Sequence, residues 1–158
     1  MWRQWSLFRQ AKLNFVRFAR LEGTPVEIAK GFALGIFIGM TPTFGFQMLM
    51  AVFFAFLLRE NRLAAVLGVW ISNPFTAPFI YALEYESGRL LLGMERVDLA
   101  FEFNFQAFKS LSWDIFLPMW VGGILFGLVC GLLSYSLTLR LIPSIQSLRI
   151  PRWPRRRK

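Results

Sequence analysis

Residues 31–58 read GFALGIFIGMTPTFGFQMLMAVFFAFLL, a run with no charged side chain. As one straight helix it would reach ~42 Å, well beyond the ~30 Å of a membrane's hydrocarbon core. Thr41-Pro42-Thr43-Phe44-Gly45 falls in its middle, where Pro42 removes an amide donor and clashes with the preceding turn, and Gly45 favours a further break. Halves of about ten and fourteen residues on either side would run ~15 and ~21 Å, which are half-membrane lengths. The run is therefore expected to form two half-helices that enter and leave an apolar layer on one face.

Two further charge-free stretches follow, 63–83 and 115–139, each with the ~20 residues needed to cross. The second is interrupted by Ser72-Asn73-Pro74-Phe75-Thr76-Ala77-Pro78, which a straight, lipid-facing helix would not select. The third is continuous, with Pro118 expected in its first turn, where proline is tolerated. The fold class read from this is an all-α integral membrane protein with two proline-broken (half-helix or re-entrant) segments and one continuous transmembrane helix. Composition agrees: of 158 residues 56% are hydrophobic and only 17% charged, too few for the surface of a soluble domain. With no His and one Cys, most metal sites, disulfide frameworks and His-based acid/base chemistry are excluded, and neither metal nor cofactor is expected.

Outside the apolar stretches, residues 1–23 mix Trp2, Trp5, Phe8, Phe15, Val16 and Phe18 with Arg3, Arg9, Lys12, Arg17 and Arg20 at helical spacing, as an interfacial amphipathic helix does. No signal-peptide pattern is seen. Thr24, Pro25 and Glu27 then mark a helix start: an N-cap, a proline at the first position and the acid of a capping box. The chain thus divides into the interfacial helix 1–23, a membrane domain 24–139 (broken segments 25–58 and 63–83, an extramembrane connection 84–114, a helix 115–139) and a polybasic tail 140–158.

The net charge of +9 is unevenly placed, with six Lys and Arg in 1–30, two in 59–62, three in 84–114 and seven in 140–158. By the positive-inside rule both termini are cytoplasmic. Three simple crossings would put them on opposite sides, so one stretch must turn back. The first is the better candidate, leaving Arg59-Glu60-Asn61-Arg62 inside; the rival, with the second stretch re-entrant, places Arg59 and Arg62 outside. Arg152, Arg155, Arg156, Arg157 and Lys158 are expected to contact anionic lipid head groups of the inner leaflet, at about 1 kcal/mol each. A nucleic-acid partner is not expected, since no nucleic-acid-binding fold flanks the basic segments.

Gly31, Gly35 and Gly39 recur every four residues, as do Gly123, Gly127 and Gly131, with a weaker small face at Ala64, Gly68 and Ser72. Such faces let helix backbones approach closely. Packing within the monomer is the simpler reading and homodimerisation the alternative. The first two stretches share a plan of small residues followed by a proline break, a pattern seen in the repeats of secondary transporters.

Thr41-Pro42 and Asn73-Pro74 each read as an N-cap and first residue of a new half-helix. If both starts converge, their amides and positive dipole ends suit a phosphate or carboxylate. The candidate ligand residues are Thr41, Pro42, Thr43, Gln47, Trp70, Ser72, Asn73, Pro74 and Thr76, with Tyr81 and Tyr85 as aromatic neighbours. The plainer alternative is that these groups only satisfy the backbone freed by proline. No catalytic constellation is visible. Glu84 and Glu86 read as a solvated helix end rather than an acid/base pair, and Cys130 as a packing residue.

Gly39, Pro42, Gly45 and Gln47, then Arg59 and Asn61, then Trp70, Ser72, Asn73, Pro74, Thr76 and Pro78 occur in an order that resembles a bacterial membrane family called domain of unknown function 2062. The resemblance covers about residues 1–140. It implies a small protein of the bacterial inner membrane, some of whose relatives are joined to glycosyltransferase domains; this chain is read as lacking one. By analogy it tilts the ligand towards lipid-linked sugars or phospholipids. Two functions follow as expectations: a carrier or lipid-handling protein that binds an anionic or lipid-linked head group at the paired breaks, or a non-catalytic accessory subunit for an envelope-assembly enzyme such as a glycosyltransferase.

Overall fold

The structure, a computed structural model, describes residues 21–43, 45–96 and 105–147, with side chains from 113 to 146 in the last of these. Residues 1–20 of the expected interfacial helix, and the tail residues Arg152, Arg155, Arg156, Arg157 and Lys158, lie outside the described residues. Among the described residues the regular structure is helical, with no strand. Residues 21–23, placed by the sequence in the interfacial helix, are not helical, and Leu21 is buried against Ile28, Ala64 and Ile142.

Helix α1, Pro25–Gly39, starts as its sequence demands. Thr24 Oγ1 accepts from the Glu27 amide at 3.2 Å, Glu27 Oε2 accepts from the Thr24 amide at 3.0 Å, and Pro25 occupies the first turn. After the first break, α2 runs Gln47–Leu57 and returns beside α1. The return is fixed at its far end, where Glu60 pairs with Lys30 at 3.2 Å and the Asn61 amide donates to the Glu27 carbonyl at 3.2 Å. The 31–58 run is therefore a helical hairpin whose ends meet.

Helix α3, Arg62–Val69, is capped by Asn61, whose Oδ1 accepts from the Ala64 amide at 2.8 Å, and continues as a 3-10 turn over Trp70–Ser72. It packs along α1 by backbone contact. A Cβ on Gly31 would lie 2.3 Å from the Asn61 carbonyl oxygen, and one on Gly35 2.0 Å from that of Ala65. Across the contact, a Cβ on Gly68 would lie 2.4 Å from the Phe32 carbonyl oxygen. Ala51 and Ala55 of α2 complete this core with Ile38, Ala65 and Val69.

Past the second break, α4 runs Ala77–Leu92, bent by 79° from the α3 direction. It extends nine residues beyond the expected end at Leu83. Arg89 pairs with Glu86 one turn away and supports the extra turns, and Gly93, at φ +66°, ends them with a left-handed cap. Helix α5 spans Phe105–Ser147, so it begins ten residues before the charge-free stretch, and Pro118 lies well inside it rather than in its first turn. The charges of Lys109 and Asp114 hid this start.

α5 is the spine. Its first half meets α4, where a Cβ on Gly88 would lie 1.8 Å from the Pro118 carbonyl oxygen and one on Gly122 1.9 Å from that of Glu84. Its second half runs antiparallel to α1: Gly123 meets Met40, Gly127 meets Phe37, Gly131 meets Ala33, and Gln146 Nε2 donates to the Gly23 carbonyl at 3.4 Å. Both expected glycine faces thus pack within the monomer. Gly88 and Gly122, which carry the α4–α5 contact, were not singled out from the sequence because they do not repeat at four-residue spacing with their neighbours.

The outer surface is strongly apolar, with Phe53, Phe56, Leu63, Phe79, Leu90, Leu132 and Leu137 all exposed. Trp113–Gln146 is long and apolar enough to cross a membrane, and the bent pair Arg62–Ser72 and Ala77–Leu92 passes the same test together.

Candidate functional site between the two helix breaks

The first break falls beside the middle of α5, where Met40 meets Gly123, and the two breaks are joined through one side chain. Gln47, buried at the start of α2, donates from Nε2 to the Thr41 carbonyl at 3.0 Å and to the Tyr81 hydroxyl at 2.9 Å, while its Oε1 accepts from Ser72 Oγ at 3.1 Å. A single amide therefore ties the first break to the second and to α4.

The first break differs from its expected form. Thr41 does not cap a new half-helix; its hydroxyl reaches back to the Ile38 carbonyl at 2.7 Å and so closes the end of α1. Thr43 Oγ1 sits 3.1 Å from Thr41 Oγ1. The chain then needs Gly45 at φ +79° to reverse, and α2 begins at Gln47 with Phe46 in the cap position and no side-chain cap. Its first amides have no partner of their own within the helix.

The second break caps itself. Asn73 Oδ1 accepts from the amides of Phe75 (2.9 Å) and Thr76 (3.2 Å), and its Nδ2 donates to the Trp70 carbonyl at 3.3 Å. Thr76 Oγ1 accepts from the Asn73 amide at 3.1 Å and donates to the Ile71 carbonyl. α4 proper starts at Ala77 with Pro78 in its first turn, four residues after Asn73, so Pro74 is not its first residue. Convergence of two open helix starts is thus corrected to one uncapped start, α2, facing a second break whose polar groups are already engaged.

An open cleft of about 240 Å³ lies between the breaks, lined by Gly45, Gln47, Met48, Val69, Trp70, Ser72, Asn73 and Pro74. Of the expected ligand residues, Gln47, Trp70, Ser72, Asn73 and Pro74 line it; Thr41, Pro42, Thr43 and Thr76 do not, and the hydroxyls of Thr41 and Thr76 are bonded to backbone carbonyls. Met48 and Val69, apolar walls of the cleft, carried no signal in the sequence because they look like any other apolar helix position.

Glu84 and Glu86 part company. Glu86, in the second half of α4, accepts from Arg89 at 3.0 and 2.6 Å and from Arg96 Nε at 2.8 Å. Glu84 is not a solvated helix end: it is 0% exposed, enclosed where α4 meets Gly122 and Gly123 of α5. The reason is steric, since the two glycines let the α5 backbone close over the position.

The arrangement defines an all-helical protein in which a hairpin and a bent helix pair are held against one long apolar helix. A family model described as an uncharacterized protein conserved in bacteria (DUF2062) matches residues 8–150, and the chain belongs to that family. No curated protein and no solved structure matches it.

Proposed function

We propose that the chain is a small protein of the bacterial inner membrane that handles a lipid or lipid-linked molecule, holding its head group in the cleft between the two breaks. The observation that carries this reading is the cleft itself. Its lining is mostly apolar, with Met48, Val69 and Trp70, and carries the polar side chains of Gln47, Ser72 and Asn73, so it offers an amphiphile both kinds of contact. The uncapped start of α2 adds amide donors on one side, which suits a phosphate or sugar oxygen. In this reading α1–α2 is the re-entrant hairpin, α3–α4 and α5 cross, and both chain ends lie on the cytoplasmic side, where thirteen of eighteen basic residues are found.

Protein reconstituted in liposomes is expected to change the movement or binding of labelled phospholipids or polyprenyl-phosphate lipids, and Gln47→Ala and Trp70→Ala are expected to reduce that effect at least tenfold. Unchanged lipid behaviour across such a panel would sink the proposal.

A second reading, an accessory subunit for an envelope-assembly enzyme, is favoured by a different observation. A furrow of about 550 Å³ runs between α1 and α5, lined by half-buried Ala33, Leu34 and Phe37 and exposed Leu128 and Leu132, with buried Gly127 and Gly131 at its base. A partner helix, or a second copy, would fit against such small residues. In-cell crosslinking from Leu128 separates the two: a stoichiometric protein partner supports the accessory role.

A further inference from the structure

We propose that Glu84 is a proton-binding site, set between the carbonyl end of α1 and the Gly122–Gly123 pair of α5 and occupied when these helices are packed as observed. Donors and acceptors are out of balance around this side chain. Glu84 is fully enclosed, and neither carboxylate oxygen has a hydrogen-bond partner among the described residues. An ionised carboxylate is acceptor-only, so both oxygens would be buried with nothing to accept from.

The surroundings deepen the imbalance. The position a Cβ would take on Gly123 lies 2.4 Å from the Met40 carbonyl oxygen and 3.5 Å from Glu84 Oε2, so a second acceptor borders the same gap. Met40 is the C-cap of α1, where the helix presents its negative dipole end. A proton on the carboxyl turns one of two buried acceptors into a donor beside a gap that a further carbonyl borders.

No neighbouring helix brings a charge that would do the same. On α5, Lys109, Asp114 and Arg140 are at least eight residues from Gly122, ~12 Å along the helix. On α1 the nearest charged residue is Lys30, ten residues before Met40 and already paired with Glu60. On α4 itself, Arg89 and Glu86 are engaged with each other, and the phenols of Tyr81 and Tyr85 flank the site one turn before and one residue after. At the first break, Gln47 spends its donors on Thr41 and Tyr81.

The position gives the proton a consequence. Gly122 touches the Glu84 backbone, Gly123 touches Met40, and Met40 borders the first break, so releasing the proton requires water to enter where α1, α4 and α5 meet. The site is thus placed to couple proton occupancy to the packing of the helix breaks.

Infrared spectroscopy of the full-length protein in liposomes tests this without reference to any lipid ligand, so it stands or falls separately from the cleft. At neutral pH the wild type is expected to show the carbonyl stretch of one protonated carboxylic acid, shifted in D2O and absent from Glu84→Gln, an isosteric variant that keeps a donor. Absence of the band from the wild type, or its persistence in Glu84→Gln, overturns the proposal. Should that variant fail to fold, wild type labelled with 13C-glutamate decides: the acid band must move with the label. Stabilisation of the wild type by NaCl or LiCl over choline chloride, with no acid band, identifies a metal-cation site and overturns it as well.

Discussion

The two helix breaks are written in nearly the same terms, small residues followed by a polar residue and a proline, yet one reverses the chain and the other bends it by 79°. The difference lies in which way the polar side chain bonds. Thr41 bonds backward to Ile38 and finishes α1, so the chain must travel through the left-handed Gly45 before a new helix can start. Asn73 bonds forward to Phe75 and Thr76 and seeds the next helix at once, while Thr76 clasps the Ile71 carbonyl behind it. Proline stops a helix in both cases; its neighbours decide where the chain goes next.

Separating the elements that hold the two breaks side by side should have the largest effect. Gly35→Leu would place a Cβ 2.0 Å from the Ala65 carbonyl oxygen, a backbone clash that rotamer changes cannot relieve. It is expected to cost about 3 kcal/mol or more, seen as early unfolding in an SDS titration followed by circular dichroism. Next comes the forward cap. Asn73→Ala removes the acceptor for two amides and should cost about 1–2 kcal/mol, with hydrogen exchange accelerated over residues 74–78 but not over 41–46.

Gly45→Ala reverses that pattern. A Cβ there meets nothing within 4 Å, so the whole effect, about 1 kcal/mol, is backbone strain at φ +79° and should loosen the first break alone. The smallest effect belongs to Lys30→Ala. Its pair with Glu60 ties the far end of the hairpin, but the Lys30 side chain is 53% exposed, and the loss should stay below about 1 kcal/mol and shrink with salt.

The hairpin, the bend and the capping box at Thr24 were legible in the sequence because each rests on local chemistry: a proline, a cap, a run of residues without charge. The glycine faces were legible too, since a four-residue repeat marks one side of a helix. What the sequence hid depends on partners far along the chain. Gln47 reads as a polar residue in an apolar run, and only the packing of α2 against α3, with α4 starting just beyond the second break, brings it within reach of Ser72 and Tyr81. Glu84 reads as a helix end because the charge-free stretch stops at Leu83, and its burial depends on two glycines nearly forty residues later. Thr41 misled for the opposite reason: a threonine before proline suits both the end of one helix and the start of another, and the choice was made by the hydroxyl's nearest free carbonyl.

Sidedness tests the contrast between a reversing and a bending break most directly. Single cysteines introduced as Glu22→Cys, Arg59→Cys, Glu95→Cys and Gln146→Cys, in a Cys130→Ser background, can be labelled with a membrane-impermeant maleimide in vesicles of known orientation. Positions 22, 59 and 146 should label from one side and position 95 from the other. Labelling of position 59 from the side opposite position 22 would mean that residues 31–58 cross the membrane, and would contradict the hairpin.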